Sequence, residues 1–179
     1  MKALLIVDVQ NDFIKGGTLA VENAEKVIPV INGLMDKFEL IIATQDWHPE
    51  QSAHFDKWPV HCAAGTQGAD LHPGLHRDKI DQIFLKGTGN KDDGYSAFEA
   101  TNLDLAAYLK KKSVSELYIC GVALEFCVKS SALDALKEGF QVFLISDAIA
   151  TFSQEEERVN QEYAELEKSG IKVILSSQI

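Results

Sequence analysis

The run Leu117-Tyr-Ile-Cys-Gly-Val-Ala-Leu-Glu-Phe-Cys-Val128 is the part of the chain from which the rest can be laid out. Apolar and β-favouring residues lead up to Gly121, and Cys127 stands six positions beyond it. Val128, Ala132, Leu133 and Leu136 then recur at helical spacing until Gly139 closes the segment. The order is strand, sharp turn, cysteine, helix. A thiol at a helix N-terminus meets unpaired backbone N–H groups and the positive end of the helix dipole, and both favour thiolate. The same N–H groups can hold the oxyanion of a tetrahedral intermediate. The competing reading is a buried structural cysteine, and the surrounding residues have to choose between the two.

Working outward, strands alternate with helices. Ala3–Val7 is a nearly continuous apolar run, as in a parallel strand buried on both faces, and it ends at Asp8. Glu22–Phe38 carries Val27, Ile31, Leu34, Met35 and Phe38 at helical spacing, with Pro29 near the start of the regular helix. Leu40–Thr44 and Gln82–Leu85 read as strands, the second ending at Lys86. Asn102–Lys112 reads as a helix, Leu117–Val122 and Gln141–Ile145 as strands, Glu155–Lys168 as a helix and Ile171–Leu175 as the last strand. This predicts one α/β domain over residues 1–179, with a six-stranded parallel sheet between helical layers. Gln45–Lys79 is rich in Gly, Pro, His and Asp and has no long period. A connection of that length serves a function or covers a site.

The totals narrow the function classes. A chain of 179 residues, 46% hydrophobic and 25% charged, can bury a sizeable core. Seventeen basic against 27 acidic side chains leave a net charge of −10, which disfavours nucleic acid and anionic membranes as partners. The acidic run Glu155–Glu157 reads as a solvated helix start. Cys62, Cys120 and Cys127 form no even framework, so reduced thiols and a cytoplasmic setting are expected. The first apolar stretch is too short for a signal sequence or a membrane span. The oligomeric state is left open, a homo-oligomer included.

Open sheets of this class bind ligands beyond the carboxyl ends of their strands, where strand order reverses. Asp8, Asp46 with His48, Lys86 and Cys127 all fall at such ends. Burial at a strand end raises a carboxylate pKa, and a nearby lysine lowers it. Asp8 and Lys86 can therefore shuttle a proton while keeping Cys127 ionised; a structural salt bridge is the alternative. Asp46 and His48 point the same way if their segment is extended. With His54 and His61 close by in sequence, the set suits zinc, iron or manganese. His72 and His76 read as surface or supporting residues. Lys86-Gly-Thr-Gly-Asn90 lacks the length, the following Lys-Ser/Thr and the helix of a phosphate loop, which argues against nucleotide binding. Phe13, Leu19, Trp58, Tyr95 and Phe126 flank the polar groups and either wall a flat apolar pocket or belong to the core.

In order along the chain come Asp8-Val-Gln-Asn-Asp-Phe13, Gly16-Gly17-Thr-Leu19, Asp46-Trp-His48-Pro, His54-Phe, Trp58-Pro-Val-His61-Cys, Lys86-Gly, Tyr95-Ser-Ala-Phe98 and Gly121-Val-Ala123…Cys127-Val. Together they resemble the nicotinamidases (pyrazinamidases) of the isochorismatase-like cysteine hydrolases, over essentially the whole chain. The resemblance implies a three-layer α/β/α fold with sheet order 3-2-1-4-5-6. It implies a triad of Asp8, Lys86 and Cys127, and a metal, zinc first, on Asp46, His48 and His61, joined in some members by His54. It also implies a cis peptide before Ala123 that aims the Ala123 and Cys127 amides at the substrate oxygen. The implied reaction converts nicotinamide to nicotinate and ammonia through a cysteine thioester, in NAD salvage, with the metal orienting the ring nitrogen. Leu124-Glu125 departs from the Thr-Asp of many relatives, which bears on the turn's hydrogen bonds and the pocket shape. Two rivals remain: another amidase or ureido hydrolase of the superfamily, and a non-catalytic metal-dependent scaffold.

Overall fold

The computed structural model describes residues 1–179. Strands β1 (Lys2–Val7), β2 (Leu40–Asp46), β3 (Gln82–Lys86), β4 (Glu116–Val122), β5 (Gln141–Ala150) and β6 (Lys172–Ile174) form one sheet. Every pairing is parallel and the order is β3-β2-β1-β4-β5-β6, as the sequence resemblance implied. Helices α1 (Val27–Met35), α2 (Leu105–Lys111), α3 (Lys129–Lys137) and α4 (Glu156–Lys168) lie between them in the chain.

Side-chain alternation along each strand divides the interior into two cores. Leu4 and Ile6 of β1 pack on one face with Ile31 and Leu34 of α1 and with Cys62, Leu71 and Leu75 of the long connection. Ala3, Leu5 and Val7 pack on the other with Leu105 of α2, Ala132 of α3 and Leu166 of α4. Both faces of β1 are fully buried from Ala3 to Val7, which is why that strand is a continuous apolar run rather than an alternating one.

Element ends differ from the expected ones for local reasons. The first helix begins at Val27, not Glu22, because Asn23 sits in the left-handed region (φ 61°) and residues 24–26 form a 3₁₀ turn. The next begins at Leu105 because Asp104 caps it, accepting the Ala107 N–H at 2.9 Å. β2 runs two residues past Thr44 since Gln45 and Asp46 continue the ladder opposite Leu85 and Lys86. β5 reaches Ala150, with a register irregularity opposite Ile119–Gly121. The connection between β2 and β3 has short 3₁₀ turns at 53–56, 67–69 and 77–79, and bridges to the body of the fold through Gln10–Leu71.

Strand order reverses between β1 and β4, and there the two strands approach so closely that a Cβ on Gly121 would lie 2.1 Å from the Val7 carbonyl oxygen. With φ at 116° as well, that position accepts only glycine. Beyond Val122 the chain enters Ala123 through a cis peptide bond, then a π-helical turn over Leu124–Val128 that leads into α3. The first turn holding Cys127 is therefore wider than a regular α-helical N-terminus. No helix is long and apolar enough to cross a membrane.

Candidate active site

The carboxyl ends of β1, β2, β3 and β4 deliver Asp8, Asp46, Lys86 and Cys127 to one buried point. Lys86 has no exposed surface. Its Nζ lies 2.8 Å from Asp8 Oδ2 and 2.5 Å from Asp46 Oδ1, donates to the Gly94 carbonyl at 2.7 Å, and lies 3.4 Å from Cys127 Sγ. Asp8 sits just past β1 with φ 48°, in the left-handed region that costs a non-glycine residue on the order of 1 kcal/mol. Thr44 holds it there, accepting the Asp8 N–H at 3.2 Å and donating its hydroxyl to Oδ1 at 2.7 Å. Oδ2, by contrast, makes no aligned hydrogen bond, and its contact with Lys86 is chiefly Coulombic.

The two carboxylates share one ammonium unequally. Burial pushes Asp8 up, with the Asp46 charge adding to it, and Lys86 only partly offsets this. Burial acts the same way on Asp46, but there Lys86 and His48 outweigh it and hold the group well below the usual carboxylate range. Asp46 is thus the fixed counter-ion and Asp8 the carboxylate that more readily takes a proton. Burial would lower Lys86, yet Asp46, Asp8 and Cys127 keep it above its ordinary value. For Cys127 the expectation of a standing thiolate is corrected. Burial pushes the thiol well up, Asp8 and Asp46 push the same way, and Lys86 does not overcome them. In a pocket this dry with two carboxylates, the pull of a helix end is the weaker effect.

Next to this cluster, His48, His54 and His61 turn one nitrogen each toward a common point, all three within 4.8 Å of one another. The outer nitrogens have acceptors: Gly87 carbonyl for His48 Nδ1 (2.9 Å), Pro59 carbonyl for His61 Nδ1 (2.7 Å) and Asp92 Oδ1 for His54 Nδ1 (3.1 Å). These acceptors place the proton on Nδ1 and leave Nε2 with its lone pair inward, the usual arrangement around a bound metal. His48 Nε2 is buried with no hydrogen-bond partner, 3.7 Å from Asp46 Oδ2. Burial also holds His54 and His61 below the ordinary histidine range, favouring neutral imidazole. Three clustered imidazoles, one carboxylate and an orphaned inward nitrogen fit a divalent cation of the zinc type.

A narrow cavity lies over Cys127. Phe13, Leu19, Trp58, Tyr95 and Phe126 line it, and so does Phe152. Trp58 and Phe126 meet edge-on at 5.0 Å between centroids, and Phe126 and Phe152 at 5.5 Å. Ala123, Asp46 and the imidazoles of His54 and His61 also line it.

An Isochorismatase domain model matches residues 2–178. The chain belongs to the isochorismatase family. Among curated relatives, a nicotinamidase of Acinetobacter baylyi is 39% identical, over 99% of this chain and 94% of that one. Among solved structures, a Pyrococcus horikoshii pyrazinamidase in complex with zinc is 42% identical at a TM-score of 0.87, over 97% of this chain and 98% of that one. An L. infantum structure in complex with nicotinate is 37% identical at a TM-score of 0.92, over 99% and 93%. The resemblance carried by the motifs and the sheet order is thereby upheld.

Family membership leaves this chain's own supporting residues to the structure. Gln10 donates to the Asp46 and Ala69 carbonyls and accepts the Asp46 N–H, each at 2.8 Å, so it clamps the Asp46 backbone. Asp12 accepts the Cys62 N–H at 2.7 Å, and the Cys62 carbonyl accepts the His48 N–H at 3.1 Å. Glu125, the departure noted in sequence, accepts the Phe152 and Ser153 N–H groups at 3.0 and 2.8 Å. Its carboxylate therefore holds Phe152 in the pocket wall, while Leu124 is buried in the core. His72 and His76 stay away from the cluster. His72 Nδ1 accepts the Gly74 N–H in a local turn, and His76 is exposed.

Proposed function

We propose that this protein is a nicotinamidase, an amidohydrolase that converts nicotinamide to nicotinate and ammonia and also accepts pyrazinamide. The observation that carries this reading is a buried thiol beside a carboxylate whose Oδ2 has no hydrogen-bond partner, in an aromatic cavity lined by His54 and His61 with His48 clustered beside them. The activity would place the protein in NAD salvage.

Cys127 waits as a thiol. As Sγ attacks the carboxamide carbon, Asp8 Oδ2 takes its proton; the carbon–sulfur bond forms and the carbonyl π pair moves to oxygen. The Ala123 and Cys127 backbone amides stabilise that oxyanion. Asp8 returns the proton to the leaving nitrogen, the carbon–nitrogen bond breaks, and ammonia departs, leaving a thioester. Asp8 then draws a proton from water as its oxygen attacks the thioester, and sulfur leaves with that proton. Lys86 keeps the alternating charge on Asp8 and Cys127 tolerable in a dry site and orients both. Asp46, His48, His61 and His54 would hold a divalent metal, zinc first, which when bound supplies a Lewis-acid partner for the pyridine nitrogen. Trp58, Phe13 and Phe126 contact the ring faces and edge and exclude water.

Ammonia release from a panel of amides tests the reading. Nicotinamide and pyrazinamide should be turned over. Benzamide, which lacks the ring nitrogen, should fall by roughly 10²–10³ in kcat/KM, less than the full penalty for an unpaired polar site because water fills the gap. No ammonia from nicotinamide alongside turnover of a ureido compound would move the protein to another branch of the family.

A further inference from the structure

Two of the three inward-facing histidines rest their outer nitrogen on a backbone carbonyl, and His54 alone rests it on a side chain. That side chain, Asp92, does more than accept one bond. Its Oδ1 takes the His54 Nδ1–H at 3.1 Å and the Tyr95 hydroxyl at 2.9 Å, and its Oδ2 pairs with Lys57. Tyr95 Oη in turn accepts the Trp58 indole N–H at 3.0 Å. One carboxylate oxygen therefore ends a chain that starts at Trp58, passes through Tyr95, and meets His54. Trp58 and Tyr95 are both cavity walls, and the His54 ring lies against each of them, 6.3 and 5.5 Å between centroids.

An imidazole without an outer acceptor is free to carry its proton on either nitrogen and to rotate about its χ2 bond. Of those states, only the Nδ1–H tautomer with the ring unflipped presents the Nε2 lone pair to a metal; the others present N–H or C–H. Neither Gly87 nor Pro59 can lose its carbonyl by substitution, but Asp92 can lose its carboxylate, so only the His54 arm of the cluster is set by a replaceable group. We propose that Asp92 is a positioning residue that locks His54 with Nε2 inward for the metal and, through the same oxygen, ties that imidazole to the Tyr95–Trp58 wall of the substrate cavity. This rests on the metal reading given above. Metal affinity and pocket shape are then adjusted by one side chain from the loop after β3, a residue that touches neither metal nor ring.

Metal-free full-length protein, titrated with Co²⁺ and followed by visible absorption, gives the affinity. Long-range ¹H–¹⁵N spectra of histidine-labelled metal-free protein give the His54 tautomer without any need for turnover. Nicotinate binding to the cobalt form reports the wall. Asp92→Ala should weaken cobalt binding ~10–100-fold, as loss of such supporting groups usually does. It should also mix the His54 tautomers and weaken nicotinate binding. Asp92→Asn keeps an acceptor oxygen and should restore most of the cobalt affinity and the Nδ1–H tautomer. Tyr95→Phe cuts only the wall arm, so it should weaken nicotinate and leave cobalt binding near wild type. Cobalt binding and tautomer unchanged in Asp92→Ala would overturn the proposal. Equal cobalt losses in Asp92→Ala and Tyr95→Phe would also overturn it, by showing that the loop and not the bond matters. A wild type that binds no cobalt while His54 shows the Nδ1–H tautomer would sink the metal reading and, with it, the metal half of the proposal.

Discussion

Replacing Lys86 with methionine keeps the volume of the stem and removes one charge from the centre of the cluster. Lys86 Nζ is the only cation within contact of Asp8 Oδ2 (2.8 Å) and Asp46 Oδ1 (2.5 Å), and none of the three is exposed to more than a few per cent. Breaking a buried pair by deleting one partner typically costs about 3–5 kcal/mol, because the other charge is left without compensation. Here two carboxylates are stranded, although Asp8, already pushed up by burial, can take a proton and relieve part of the cost. For a chain of this size each kcal/mol is worth roughly 2–4 °C, so Lys86→Met should melt about 6–20 °C below wild type in the metal-free state. The sign of the pH effect follows from Asp8. A carboxyl whose folded pKa is raised holds its proton where the unfolded chain has released it, so folding is favoured as pH falls. Loss of Lys86, which lowers Asp8 in the wild type, raises it further, so the gap between variant and wild type should narrow as pH falls. Adding Asp8→Asn removes one stranded charge, so the double variant should be more stable than the sum of the two single losses by about 0.5–3 kcal/mol. Thermal and urea unfolding of the four proteins decides it. A Lys86→Met loss below about 1 kcal/mol, or strict additivity with Asp8→Asn, would refute a shared buried charge cluster.

The other expectations can be checked with the same preparations. His48→Ala removes the orphaned inward nitrogen and should lower metal affinity by more than the ~10–100-fold typical of supporting residues; stoichiometric metal in the purified variant would place the site elsewhere. Glu125→Ala strips the acceptor from the Phe152 and Ser153 N–H groups, which should cost about 1–3 kcal/mol in urea unfolding and raise KM more than it lowers kcat; an unchanged KM would show that Phe152 holds its place without it. Gly121→Ala should fail to give folded protein or lose several °C, since its Cβ would meet the Val7 carbonyl oxygen; a variant as stable as wild type would contradict the close β1–β4 approach.

Much of this was legible in the chain because strand ends are legible. Continuous apolar runs that stop at Asp8, Lys86 and the Gly121 turn announce a parallel sheet, and a parallel sheet sends those residues to one edge. The Asp-x-His spacing likewise announced an inward pair, since Asp46 still lies in a strand. What stayed hidden depends on contacts between segments far apart in sequence. Asp92 is one acidic residue among several in a polar loop, and only folding brings it to His54, 38 positions earlier. Thr44 reads as an ordinary strand residue and Gln10 carries no assigned role until the two are seen holding Asp8 and Asp46. Phe152 enters the wall because β5 runs five residues beyond its apolar stretch, and periodicity does not report that extension. The protonation of Cys127 was misjudged for a related reason. Position at a helix start is visible in sequence, whereas complete burial beside two carboxylates is not.

In the proposed mechanism Cys127, with Asp8 as its proton acceptor, attacks the amide of nicotinamide. Acid-quenched turnover followed by peptide mass spectrometry tests it directly. A nicotinoyl thioester should be found on the peptide containing Cys127, and on neither Cys62 nor Cys120, which are buried away from the cavity. It should be absent from Cys127→Ala, which should be folded and inactive. Nicotinamide turnover at the wild-type rate in Cys127→Ala, or an adduct on another cysteine, would contradict it.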